Sequence, residues 1–208
     1  MSWFASLAAV IAAYLIGSLS FAVIVSRAMG LADPRSYGSK NPGATNVLRS
    51  GNRWAAVVTL ALDALKGYVP VLLAFIGAED HQWWGTGTVA LCGLAAFLGH
   101  LWPVFFKFQG GKGVATAAGV LFGFNPLLGL ATLATWVIIA AFFRYSSLAS
   151  LAAAAFAPFY QLLIWQADAF ALAIIVMSLL LVWRHAANIS KLLAGTESKL
   201  GQKAKHPS

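Results

Sequence analysis

Most of this chain is apolar sequence arranged in runs long enough to cross a lipid bilayer, and that limits its fold more than any other feature. Several runs approach or exceed the ~20 apolar residues that a helix needs to traverse a hydrocarbon core about 30 Å thick. In lipid every backbone polar group must be satisfied within the protein, so such runs fold as helices. The chain is 60% hydrophobic and only 10% charged, against roughly 25% charged in an ordinary soluble domain. No polar stretch is long enough to bury a core of its own. The expected fold class is therefore an all-α membrane protein: one integral-membrane domain over residues 1–208, its tail polar from about residue 190.

Seven spans are expected, near Trp3–Val25, Trp54–Ile76, Trp84–Phe106, Val114–Phe124, Pro126–Phe143, Leu148–Trp165 and Ala169–Trp183. A single helix from Val114 to Phe143 would be roughly 45 Å long, well beyond the hydrocarbon core. Gly123, Asn125 and Pro126 supply a break. The fourth span is then short. Either it begins deep with little tilt, or the Gly-rich segment before it dips into the membrane region. Irregular backbone at that depth must be covered by protein or line a wet cavity.

Charge placement tests the count. With seven spans, every Lys and Arg except Lys66 falls on one side, and Glu79, Asp80 and Asp168 fall on the other. The positive-inside rule puts the basic side in the cytoplasm and the N-terminus outside. Six spans would send Arg144 and the basic tail to the outer side. The same distribution argues against nucleic acid as a partner of this chain of net charge +8, because its basic residues sit singly beside apolar spans, not on one solvated face. No Lys or Arg precedes the first run, which is not the pattern of a signal peptide. The single cysteine, Cys92, lies inside an apolar run and reads as a small buried hydrophobe. Asp63 and Lys66 interrupt the second span three residues apart, on one helix face. They either neutralise each other toward the bundle or shape a polar site. No internal repeat and no inverted pair of broken helices points to a secondary transporter.

Two polar, glycine-rich segments break the apolar pattern on the basic side. In Gly38–Arg49, GSKNPGATNVLR, Asn41, Pro42 and Gly43 signal a turn. Ser39, Thr45 and Asn46 add polar groups, and Arg49 adds a planar fork suited to phosphate. Gly110–Thr116, GGKGVAT, sets Lys112 among Gly110, Gly111 and Gly113 at a helix start, where anions bind readily. Each can also be read more blandly, the first as a polar loop and the second as close helix packing with a topological lysine. The second is not an ATP-binding loop, since Phe106 and Gly113 stand where that pattern requires Gly and Ser or Thr. Ser147 and Ser150 share a helix face, and intrahelical hydroxyl bonding accounts for them equally well. His185 and Asn188 lie one turn apart at the end of the last span. His185 can act as base, acid or phosphate donor, or serve as an interfacial anchor. His100 reads as structural, and His81 and His206 carry no context. No His, Cys and carboxylate set has metal-ligand spacing, so no metal or cofactor is expected.

SKNPGATNVLR, DALKG (Asp63–Gly67), GHLWPVFFKFQGGKGVAT (Gly99–Thr116), YSSLAS (Tyr145–Ser150) and RHAANI (Arg184–Ile189), in this order over nearly the whole chain, resemble the bacterial PlsY family. These are acyl-phosphate-dependent glycerol-3-phosphate acyltransferases. The resemblance implies seven helices, an outside N-terminus, an inner-membrane location and a site on the cytoplasmic side. It implies the first acylation step of phospholipid biosynthesis: acyl-phosphate and glycerol 3-phosphate give lysophosphatidic acid and phosphate. The enzyme that makes acyl-phosphate is then a candidate soluble partner. One departure is Lys40, where the family often has Gly. The H-x-x-x-x-D pattern of the other acyltransferase class is missing, since Thr86, Phe105 and Ser190 follow His81, His100 and His185 at that interval.

On this reading Lys112, Arg49, His185 and Asn188 hold glycerol 3-phosphate. Ser39 and the backbone of Asn41–Asn46 hold acyl-phosphate, with Ser147 nearby. The rivals are an acyltransferase that uses acyl-CoA or acyl carrier protein, and a transporter of a phosphorylated solute. The transporter predicts basic residues on both faces or a polar pathway through the bundle.

Overall fold

The computed structural model describes residues 2–79 and 84–201, and among them it is helical with no strand. Asp80, His81, Lys203, Lys205 and His206 lie outside the described residues, as does the side chain of Glu79. The helices are α1 (Ser2–Gly17), α2 (Phe21–Ala28), α3 (Ala44–Leu48), α4 (Arg53–Glu79), α5 (Thr86–Leu101), α6 (Val114–Phe124), α7 (Pro126–Phe143), α8 (Ser146–Ile164), α9 (Ala169–Arg184) and α10 (Ala186–Leu193). A 3-10 turn, Val104–Phe106, follows α5.

Among the described residues four helices are long and apolar enough to cross a membrane: α4, α5 with its following turn, α7 and α8. The count rises to six if the bent pairs α1/α2 and α9/α10 are each one span. α6, with 11 residues, spans only about 16 Å. Its boundary with α7 lies where the sequence placed it. The Asn125 side chain accepts from Leu127 N at 2.9 Å and Leu128 N at 3.3 Å, with Pro126 at the first helical position. A capping side chain followed by Pro starts a helix and, lacking an N–H, cannot continue the preceding one.

The first apolar run, expected as one span over Trp3–Val25, is not straight. It bends by 43° between α1 and α2, across Ser18, Leu19 and Ser20. The bend is held from another helix, because Lys66 of α4 donates to the Leu19 carbonyl at 2.6 Å. Two elements fall in segments read as polar connections: α3 inside the first Gly-rich segment, and α10 in the tail. α10 bends 57° from α9, and none of its residues is buried.

Helices in lipid associate by close packing, not by hydrophobic drive, so small residues sit where backbones meet. α4 and α6 touch this way. A Cβ on Gly67 would overlap the Thr116 carbonyl, and one on Gly119 would overlap that of Ala64. The apolar core gathers Phe97, Leu101, Leu128 and Ile174 from α5, α7 and α9. The outer surface carries exposed Leu, Ile, Val and Phe side chains such as Leu73, Leu130, Ile138 and Leu172, as a lipid-facing surface requires.

Asp63 and Lys66 are turned into the bundle, 2% and 4% exposed. Lys66 Nζ lies 2.8 Å from Asp63 Oδ1 as an ion pair, while its aligned hydrogen bond goes to Leu19.

Candidate functional site

The connections after α2, α5, α7 and α9 converge at one end of the bundle. Hydrogen-bond contacts join them. Thr45 and Ser146 approach to 3.4 Å. Lys112 Nζ donates to Asn188 Oδ1. Arg184 donates to the Gly110 and Gly111 carbonyls at 2.8–3.1 Å. Leu200 N donates to the Arg144 carbonyl at 2.7 Å. Residues up to 149 positions apart thus share one polar surface, since Arg49 Nη2 donates to Ser198 Oγ at 2.6 Å.

The first loop is built around Asn46, a residue 2% exposed. Its Nδ2 donates to the Pro34 carbonyl at 2.6 Å and the Tyr37 carbonyl at 3.2 Å. Its Oδ1 accepts from Ser39 N at 3.0 Å and from Arg49 Nη1 at 3.4 Å. Both amide protons and the oxygen are engaged, so Asn46 shapes the loop and aims Arg49. Gly38 turns the chain with φ 58°, in contact with the Asn46 and Arg49 side chains. Lys40 also has a positive φ, 55°, and is exposed. Asn41 accepts through its carbonyl from Gly43 N at 3.0 Å, and Gly43 stands at the start of α3 with Thr45 exposed beyond it.

The second loop is buried at Gly110, Gly111 and Gly113. Gly113, at φ 85°, caps the start of α6, a conformation that costs Gly little. Arg184 clamps the loop carbonyls from α9, so the backbone is fixed on both sides of Lys112. Burial pushes the Lys112 ammonium down to about 8. Glu197 opposes that change, while Lys191, Arg49 and Arg184 add to it.

Glu197 is the residue that sequence reasoning missed. Its Oε1 accepts from Ser147 Oγ and from Asn188 Nδ2, each at 2.7 Å. Lys112, Asn188, Glu197 and Ser147 thus form one chain of contacts from the second Gly-rich loop through α10 and the tail to α8. Beside it is a cavity of about 190 Å³ lined by Ser39, Arg49, Asn188, Lys191, Glu197 and Ser198, among others. Lys191 was not singled out either, although its spacing of three from Asn188 puts both on one face of α10.

His185 is brought near but not into this chain of contacts. It is 2% exposed at the α9–α10 bend, and its Nδ1 lies 2.8 Å from the Leu181 carbonyl. A carbonyl only accepts, so Nδ1 carries the proton and Nε2 is left as an acceptor. Ser150 is engaged locally: it donates to the Ser146 carbonyl at 2.8 Å and accepts from Trp136 at 3.1 Å.

Two cations, one amide, three hydroxyls and one carboxylate around a small cavity suit a phosphate-bearing ligand that also carries hydroxyl groups. The comparisons agree in kind. A family model described as glycerol-3-phosphate acyltransferase matches residues 7–195. A glycerol-3-phosphate acyltransferase of Ralstonia nicotianae is 65% identical over 195 residues, 94% of each chain. One of Paraburkholderia phymatum is 62% identical over 200 residues, 94% of this chain and 92% of the relative. Among solved structures, the glycerol 3-phosphate form of PlsY (YgiH), an integral membrane glycerol 3-phosphate acyltransferase, superposes with a TM-score of 0.87 at 39% identity. It covers 95% of this chain and 96% of that one. Its lysophosphatidic acid form gives 0.85 at 38% identity over the same shares.

Proposed function

The chain belongs to the glycerol-3-phosphate acyltransferase family, and from that premise we propose that it moves a fatty acyl group from acyl-phosphate to glycerol 3-phosphate. The products are lysophosphatidic acid and inorganic phosphate. The observation that carries this reading is one cavity lined by Ser39, Arg49, Asn188 and Glu197, with Lys112 bonded to the lining Asn188 and Ser147 to the lining Glu197. Both substrates bear a phosphate, and the two Gly-rich loops provide two places for one. The glycerol 3-phosphate and lysophosphatidic acid forms of the related PlsY structure agree with this acceptor and product.

In the proposed step a glycerol hydroxyl attacks the acyl carbonyl carbon. A new C–O ester bond forms and the C–O bond to phosphate breaks. Phosphate leaves with the electron pair and takes the hydroxyl proton. The mixed anhydride already has a good leaving group, so no acyl-enzyme is required. Lys112 and Arg49 neutralise phosphate charge, and Asn188 orients the glycerol. Ser39 and the Asn41–Gly43 turn face the second phosphate, with Ser147 beside it. Positioning and charge stabilisation supply the rate. His185 Nε2 is the protein alternative as base.

Seven crossings with the N-terminus outside put this end of the bundle in the cytoplasm of a bacterial inner membrane. The support is that a seven-span count assigns all Lys and Arg except Lys66 to that side by sequence, and that the connections after α2, α5, α7 and α9 meet at one end of the bundle. A cytoplasmic site can receive acyl-phosphate from a soluble enzyme and glycerol 3-phosphate from solution.

The test is purified protein with glycerol 3-phosphate and, in turn, acyl-phosphate, acyl-CoA and acyl carrier protein as donor. Lysophosphatidic acid formed with acyl-phosphate alone is expected. Product with a thioester donor replaces the donor assignment, and trapping an acyl-enzyme during turnover overturns the direct attack.

A further inference from the structure

Beneath the two Gly-rich loops lies a buried polar cluster to which the acyl-transfer scheme assigns no task. His100 stands in the last turn of α5 and is 7% exposed. Its Nδ1 is 3.0 Å from Thr116 Oγ1 of α6 and 3.7 Å from Asp63 Oδ1 of α4. The Thr116 hydroxyl donates to the Asp63 backbone carbonyl at 3.0 Å. A hydroxyl has one proton, so Thr116 accepts from His100 and Nδ1 carries the hydrogen. The ring is thereby fixed in tautomer and orientation.

Its opposite edge lies against the second loop. A Cβ on Gly111 would overlap His100 Nε2 and would sit 3.0 Å from the Pro42 carbonyl. Gly111 N also donates to the His100 carbonyl at 3.1 Å. Gly111 is therefore held between the His100 ring and the Asn41–Gly43 turn, one residue before Lys112.

We propose that His100, oriented by Thr116, is a positioning residue that sets the Gly110–Gly113 backbone and so the reach of Lys112 toward glycerol 3-phosphate. It touches no substrate. The inference rests on the reading of Lys112 as the phosphate clamp.

Steady-state kinetics of the full-length protein with acyl-phosphate and glycerol 3-phosphate test it, alongside thermal unfolding, for His100→Ala, His100→Asn and Thr116→Val. His100→Ala is expected to raise KM for glycerol 3-phosphate about tenfold, the size of one lost buried hydrogen bond, with KM for acyl-phosphate unchanged. Thr116→Val keeps the shape, removes the hydroxyl and is expected to act in the same direction. Asn can present an N–H near the place of Nδ1, so His100→Asn recovers most of the affinity. The double variant His100→Ala/Thr116→Val is no worse than His100→Ala, because the two act as one unit. If His100→Ala does not accumulate as folded protein, Thr116→Val and His100→Asn decide. Lower unfolding temperatures with both KM values unchanged would mean packing alone and overturn the inference. Equal rises in both KM values would overturn it too. A wild-type protein that makes no lysophosphatidic acid overturns the proposed function as well, whereas an active wild type with an unaltered Thr116→Val overturns the positioning role alone.

Discussion

The Ser147 hydroxyl donates to the Glu197 carboxylate at 2.7 Å, joining the start of α8 to the polar tail. The same oxygen accepts from Asn188 Nδ2, and Asn188 Oδ1 accepts from Lys112. A carboxylate therefore sits where two candidate substrate-binding side chains meet, anchored by Ser198 on Arg49 and Leu200 on Arg144. It supplies the acceptor those donors need before a phosphorylated ligand arrives.

Glu197→Gln keeps the shape and one acceptor oxygen but removes the charge. Competition with substrate phosphate weakens, so KM for glycerol 3-phosphate is expected to fall at neutral pH. Glu197 also holds the Lys112 proton on, against burial and three neighbouring cations. Without it Lys112 deprotonates earlier, and the alkaline rise in KM moves to lower pH. Profiles of KM against pH for the two proteins test both statements, and an unmoved alkaline limb would sink the electrostatic link.

Lys112 itself sets a second pH dependence. Its free-enzyme value of about 8 lies below that of an ordinary lysine because of burial. The cation is present below that pH and is lost as pH rises through it, and a bound phosphate favours the protonated form. Affinity for glycerol 3-phosphate is expected to decline above about pH 8, with no such limb in Lys112→Ala. That variant should lose roughly 10- to 100-fold in kcat/KM, the range for a charge-assisted hydrogen bond. Near-normal activity would remove Lys112 from the clamp.

Much of this was legible in the sequence because the signals are local. Asn125-Pro126 caps α7 with its own side chain, so the α6–α7 boundary can be read from two residues. The grouping of the Gly-rich loops followed from charge and span count. The α1–α2 bend was not legible, because the contact that holds it comes from Lys66, 47 positions away. Glu197 had no motif to mark it, and only the return of the tail across Ser147 and Asn188 gives it a place. Asn46 looked like a ligand donor, yet burial turns its amide toward Pro34 and Tyr37.

Lys40 is a place where the sequence and the backbone disagree. Its φ of 55° falls in the left-handed region, which costs a residue with a Cβ roughly 1–2 kcal/mol and Gly almost nothing. Its side chain is exposed. Lys40→Gly is expected to keep kcat and both KM values within about twofold and not to lower the unfolding temperature, since relief of strain offsets the added freedom of the unfolded chain. A large rise in KM would instead give the Lys40 ammonium a part in binding.

The Asp63–Lys66 pair separates the cost of a buried charge from the value of the contact. Both side chains are buried in α4, so removing one partner leaves the other uncompensated, at a cost of about 3–5 kcal/mol. Lys66→Met does this and also frees the Leu19 carbonyl at the α1–α2 bend. Asp63→Asn/Lys66→Met removes both charges and leaves only the lost carbonyl contact, worth about 1–3 kcal/mol. The double variant should therefore be more stable than Lys66→Met alone. Thermal unfolding in the same detergent measures the order. If the double variant unfolds at a lower temperature than Lys66→Met, the pair is not held together by mutual neutralisation.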